Sequence, residues 1–252
     1  NMLTQELIDK LDKDSEEYLA FQSFLKDLQY DLNPSIDETQ AIEMLSQHLI
    51  TKPVFEALFE NYSFVSNNPV SKSMESILTL LELQSLEKET KSLDKFYNSV
   101  RERAAGIDNA QGKQKIIIEL YDKFFNTAFS RTTERLGIVF TPIEVVDFII
   151  KSVDDVLKLE FDTSLTDTGV NILDPFTGTG TFIARVLQSG LIKPEDLLRK
   201  YTQELHASEI VLLSYYIAAI NIEEIFHDLL KKDEYVPFEG IVLTDTFEST
   251  EK

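Results

Sequence analysis

Apolar positions recur at helical spacing through the first half of the chain. After Asn33-Pro34, the run Ser35-Ile36-Asp37-Glu38 offers an N-cap, and Ile42, Leu45, Leu49 and Ile50 follow three and four apart. Leu78, Leu81 and Leu86 line a further stretch, and Phe96, Val100 and Ala104 line another. Ile116, Ile117, Leu120, Phe124 and Phe125 form a stripe from Lys113 to about Phe129. Pro53, Asn67-Asn68-Pro69 and Gly106 are expected to interrupt these segments. Residues 1–135 therefore read as helices that bury one face against a common core, with no strand among them.

Near Gly137 the texture changes to short apolar runs alternating with helices. Thr141 to Leu159 predicts a helix with Thr141 as N-cap, Pro142 in the first turn and Glu144 closing a capping box. Residues 169–174, 204–209 and 240–245 read as short buried strands, and helices are expected over 181–188 and 210–230. Strand–helix–strand–helix–strand is the opening of a doubly wound parallel sheet, so the chain is α/β with a helical first half. Two domains follow, 1–135 and 136–252. Each predicted strand ends in a carboxylate: Asp174, Glu209 and Asp245. In open parallel sheets ligands bind beyond those strand ends, so the three acids are expected around one crevice.

Composition narrows the function. The chain of 252 residues has no cysteine, which excludes disulfides and thiolate metal sites, and its three histidines are scattered. No apolar run is long enough to cross a membrane, and the first ten residues lack a signal-peptide core. The simplest home is the cytoplasm. Net charge is −20, with 23 acidic and 15 basic residues up to position 140 and 21 and 9 beyond it. Neither half is a basic nucleic-acid module, so any DNA contact of a parent protein is expected mostly outside this chain.

The sharpest local feature is Asp174-Pro175-Phe176-Thr177-Gly178-Thr179-Gly180, between a predicted strand and a predicted helix. Two glycines permit a tight turn and close approach of a ligand, and the following helix offers free N–H groups. The Lys of a phosphate loop is missing, because Thr181 and Phe182 follow the glycines. An acidic entrance suits a ligand carrying amino and hydroxyl groups. Glu209 is suited equally to accepting ribose hydroxyls and to capping the next helix. Asp245 is suited equally to an exocyclic amine and to solvent.

These runs resemble the amino-methyltransferases that modify the exocyclic amine of adenine in DNA. The matching residues are Phe140-Thr141-Pro142, then Asp174 to Gly180, then Glu209 and Asp245, in that order. Leu120-Tyr121-Asp122-Lys123-Phe124-Phe125 leading into Leu136-Gly137-Ile138 is similar to the large single-chain (type ISP) restriction-modification enzymes. In those enzymes a helical coupler joins a helicase-like motor to the methyltransferase. The resemblance implies a Rossmann-like sheet, S-adenosylmethionine as cofactor, and residues 1–135 as much of the coupler. It implies that Asp174, Pro175, Phe176 and the Gly178 and Gly180 backbone hold the methionine part, with Phe140 and Thr141 against it. Glu209 would hold the ribose, and Asp245 would lie near the adenine. The family's Asn/Asp-Pro-Pro-Tyr/Phe motif, which grips the target base, is absent, since all seven prolines are isolated. Cofactor binding without catalysis is therefore expected of this chain, with DNA as the partner of the longer protein. A methyltransferase acting on protein or small molecules, and a non-catalytic helical interaction module, remain open as alternatives.

Overall fold

A computed structural model of the protein describes residue 8 and residues 12–58, 67–81, 97–99, 102, 141–231 and 235–249. The stripes expected over 113–129 and around Leu86, Phe96, Val100 and Ala104 lie outside these residues, as does Phe140. The chain forms two compact units, Asn1–Gly106 with Leu243–Lys252, and Ile107–Val242. The texture of the sequence changes later than that, near Gly137.

In the first unit, α1 (Glu16–Asp31) starts at Ser15, whose hydroxyl accepts the Tyr18 N–H at 3.1 Å. Its buried Phe21, Phe24, Leu25 and Leu28 form one stripe at helical spacing. Helix α2 (Glu38–Leu58) opens with a reciprocal capping box. Asp37 Oδ1 accepts from Gln40 N at 2.8 Å, and Gln40 Oε1 accepts from Asp37 N at 3.0 Å. Pro53 does not interrupt this helix, contrary to the expectation from sequence. A proline removes the N–H that would donate to the carbonyl four residues before it, here that of Leu49, and crowds that group. The helix nevertheless runs on to Leu58 with Val54 and Phe55 buried just beyond Pro53, and the Tyr97 hydroxyl donates to the adjacent Ile50 carbonyl at 3.0 Å. Helix α3 (Pro69–Leu80) has Pro69 in its first turn and Asn68 as a side-chain cap on Ser71 N–H, so this punctuation marks a helix start.

Among its described residues the second unit opens with α4 (Ile143–Phe161), followed by β1 (Ile172–Asp174), α5 (Thr181–Gln188) and a turn α6 (Leu197–Arg199) that continues as one π-helical turn, Lys200–Glu204. Then come β2 (Leu205–Glu209), α7 (Leu212–Leu230) and β3 (Ile241–Leu243). The sheet order is β1-β2-β3, with β1 and β2 parallel and Asp174 level with Ala207. The described residues are thus mostly helical with a small three-stranded sheet, α/β overall. The strands are shorter than expected, and β3 stops two residues before Asp245.

Helix α7 is buried on nearly every side from Leu212 to His227, which makes it the centre of this unit. Tyr201 stacks on Phe226 with ring centroids 3.6 Å apart. Lys200 is fully buried, and its Nζ meets three acceptors: Asp167 O at 2.8 Å, Val170 O at 2.7 Å and Glu204 Oε2 at 2.8 Å. An ammonium has three donors, so none is wasted. Gly169 N–H donates to the other Glu204 oxygen at 2.7 Å. This network ties the loop entering β1 to the turn entering β2, and so fixes where both strands begin.

Candidate functional site

The loop 175–180 leaves the end of β1 and returns as α5. Gly178 and Gly180 adopt φ of +57° and +82°, a left-handed region that other residues enter only with strain. They differ in surroundings. A Cβ on Gly178 would meet nothing within 4 Å, whereas one on Gly180 would lie 3.0 Å from Ala218 Cα and 3.1 Å from its carbonyl oxygen. Gly180 is required by close packing on α7, and Gly178 faces open space.

Strand β2 holds the first part of the loop. Thr177 N–H donates to Ser208 O at 3.1 Å, and the Ser208 hydroxyl donates to Pro175 O at 3.0 Å. Gly178 N–H donates to Glu209 Oε2 at 2.7 Å. Glu209 is buried, and its other oxygen accepts from Val211 N at 2.8 Å. Burial pushes the Glu209 carboxyl above its usual range, backbone N–H groups oppose this, and the charge of Asp174 adds to it. Helix α7 begins at Leu212 with Val211 at the cap position, so Glu209 stands outside the helix, not as its N-cap.

Asp174 has a different character. Its Oδ1 takes only a long bond, 3.3 Å, from Phe176 N. Its Oδ2 is buried with no hydrogen-bond partner among the described residues. Burial raises its carboxyl above the ordinary range. An unpartnered buried carboxylate oxygen is costly, and a cationic or hydrogen-bond-donating ligand group would relieve it. The exposed Phe176 and the Pro175 ring flank this end of β1. An apolar groove of about 290 Å³ runs beside β1, lined by Ile149 and Val153 of α4, Leu173, Asp174, Pro175 and Phe182.

The structure thus brings Asp174, Gly178 and Glu209 together, as expected. Three other expectations change. Thr141 does not cap α4: the extended Pro142 (φ −56°, ψ 140°) takes the boundary position, the first helical residue is Ile143, and no side chain caps the helix. Thr141 sits one residue too far out for its hydroxyl to reach the first turn, so Glu144 closes no capping box, and Thr141 is exposed. Asp245 is not at a strand end and belongs to the first unit. There Asn33 Nδ2 donates to its Oδ2 at 2.7 Å, Phe247 N to its Oδ1 at 3.0 Å, and its own N–H donates to Leu32 O. The sequence reading also missed Asn221 of α7, whose Nδ2 donates to Thr179 O at 2.9 Å. Its only signal was a polar residue inside the apolar run 212–222. Among the described residues no acidic or histidine cluster could hold a metal ion, and no helix is long and apolar enough to cross a membrane.

Comparison with known proteins accounts for the helical half. Residues 2–112 match the coupler domain of type ISP restriction-modification enzymes. The coupler match ends short of the change of texture near Gly137. The solved structures extend the likeness through the crevice. The type ISP enzyme LlaBIII bound to DNA shares 61% identity over 99% of this chain, with a TM-score of 0.90. A nuclease-deletion mutant of the type ISP enzyme LlaGI, in complex with a DNA substrate mimic, shares 59% over 99%, also at 0.90. The DrdV–DNA complex shares 31% over 99%, at 0.84. The chain spans 17%, 20% and 24% of the length of these three relatives. No curated protein sequence matches the chain.

Proposed function

We propose that the chain joins a type ISP coupler region to the S-adenosylmethionine-binding part of a DNA adenine methyltransferase in a restriction-modification system. The observation that carries this reading is the buried Asp174 Oδ2 at the end of β1, without a hydrogen-bond partner among the described residues, beside the open face of Gly178. S-adenosylmethionine brings an ammonium group, two ribose hydroxyls and an adenine amine, and the residues present fit them. Asp174 would take the ammonium. Glu209 already accepts from the backbone N–H groups of Gly178, Val211 and Ile210, and a carboxylate has about four acceptor positions, which leaves room for one ribose hydroxyl. The amides at the start of α5 suit the methionine carboxylate. Phe140, Thr141, Pro175 and Phe176 would flank the methionine part. Asp245 is the least suited of the set, because Asn33 and Phe247 already engage its two oxygens.

When bound, the cofactor supplies an activated methyl group. The residues named here bind and orient; none grips a target base, since the Asn/Asp-Pro-Pro-Tyr/Phe motif is missing from the sequence. The three-stranded sheet fits the opening of a doubly wound, Rossmann-like domain. DNA is the partner of the longer protein by analogy with LlaBIII, LlaGI and DrdV, whose structures hold it, and the protein would act in the cytoplasm. Calorimetric titration with S-adenosylmethionine tests the reading. The unaltered chain should bind, and Asp174→Asn should bind at least about tenfold more weakly through loss of a charged acceptor. Equal affinity of the two proteins would remove Asp174 from the site.

A further inference from the structure

The glycine loop is seated on one face of α7. Asn221, 2% exposed, donates its Nδ2–H to Thr179 O at 2.9 Å. One turn earlier Ala218 meets Gly180 so closely that no side chain fits between them. Residues three apart share a helix face, so α7 offers the loop a small residue and a donor side by side. The two act on adjacent atoms. Thr179 C=O and Gly180 N–H belong to one rigid peptide plane. Asn221 holds the oxygen, and Gly180 N–H donates back to Thr177 O at 2.9 Å. The plane is therefore pinned at both ends. With the carbonyl held against α7, it is kept away from the crevice, where it would add negative potential beside Asp174 and Glu209. The next amides, those of Thr181 and Phe182, open α5 without partners inside that helix.

We propose that Asn221 is a positioning residue for the cofactor. By fixing the Thr179–Gly180 peptide it presets the loop for the amino-acid end of S-adenosylmethionine and leaves the adenosine end untouched. The inference rests on the cofactor reading above. A buried asparagine that only stabilised the fold would affect both ends of the ligand alike.

Binding of two probes to the whole chain separates these roles. S-adenosylhomocysteine carries the amino-acid tail, and methylthioadenosine lacks it. Asn221→Leu keeps the volume and removes the donor. It should weaken S-adenosylhomocysteine about tenfold, the worth of one lost hydrogen bond, while methylthioadenosine stays within about twofold. Asn221→Ser, which pulls the donor out of reach but keeps the position polar, should give the same split and serves if the leucine variant does not fold. Equal losses for both probes, or no loss for either, would overturn the proposal. Failure of the unaltered chain to bind either probe would overturn the cofactor reading itself, and this inference with it.

Discussion

Gly178 donates its backbone N–H to the carboxylate of Glu209 at 2.7 Å, across 31 positions of sequence. The residue read as a ribose acceptor is thus also a fastener of the glycine loop. Removing it affects both roles. Glu209→Ala should weaken S-adenosylmethionine by about 1–3 kcal/mol, through a lost charged acceptor and a loosened loop. It should also lower the melting temperature, because Gly178 N–H and Val211 N–H lose their partner. Calorimetry with thermal unfolding monitored by circular dichroism reads both. Unchanged affinity would leave Glu209 as a fastener alone.

The two loop glycines should respond differently to substitution. Both carry positive φ, so any side chain adds strain of about 1–2 kcal/mol. At Gly178 the space is open, and the main consequence of Gly178→Val is occupation of room a ligand needs. At Gly180 the added Cβ would press on Ala218 backbone atoms 3.0 and 3.1 Å away, so Gly180→Ala should destabilise the fold further. The expected pattern is abolished binding with a small drop in stability for the first, and the larger drop in stability for the second. The reverse order would contradict the assignment of the open face to ligand.

The loop was legible in the sequence because its information is local. Asp174, two glycines and a helix start lie within eight residues, and α5 spans the expected 181–188. Glu209 was legible as a strand-end acid, but its bond to Gly178 was not, since nothing in the sequence says which amide a carboxylate will find. Asp245 misled for the same reason. Its partner Asn33 lies 212 positions away, and strand spacing alone carries no trace of it. Pro53 was misread as a break because local rules weigh the one N–H a proline lacks and not the burial of Val54 and Phe55 beyond it. Asn221 left only a weak mark, one amide in a run that packs as core.

Glu223 on α7 gives a pH prediction. Its Oε2 accepts from the Tyr235 hydroxyl at 2.8 Å and its Oε1 from Phe238 N at 3.0 Å. Burial pushes its carboxyl up to about 7, with neighbouring Glu224 adding to the rise. A raised acid favours the folded state while protonated. Its contribution is full below the unfolded value near 4.5 and is lost as pH rises through about 7. His227, also on α7, is shifted down by burial and acts in the opposite sense, while the raised Asp174 and Glu209 act in the same sense as Glu223, so the wild-type curve alone mixes them. The comparison with Glu223→Gln isolates the glutamate. Between pH 5.5 and 8 the variant should gain about 2 kcal/mol relative to the unaltered protein. Denaturant unfolding at several pH values measures this, and a constant difference would place the titration of Glu223 outside that window.

The charge of the chain predicts its behaviour toward DNA. At −20, with acid in excess in both halves, it lacks the basic surface that gives phosphate affinity. In fluorescence anisotropy at physiological salt the chain should bind duplex DNA weakly, and tight, strongly salt-dependent binding would contradict this. Cofactor affinity without DNA affinity and without an Asn/Asp-Pro-Pro-Tyr/Phe motif leads to one more expectation. Radiolabelled S-adenosylmethionine should be retained by the chain but should pass no methyl group to adenine-rich DNA above background. The reason is physical rather than a matter of affinity. In the proposed reading the crevice residues would engage the methionine and ribose ends of the cofactor, and methyl transfer further requires a second set of groups that hold an unstacked adenine with its amine aligned to the methyl. Adding DNA to saturation would not supply those groups. Turnover under these conditions would mean that other side chains of this chain grip the base, and would send the search for them to the crevice rim around Phe176.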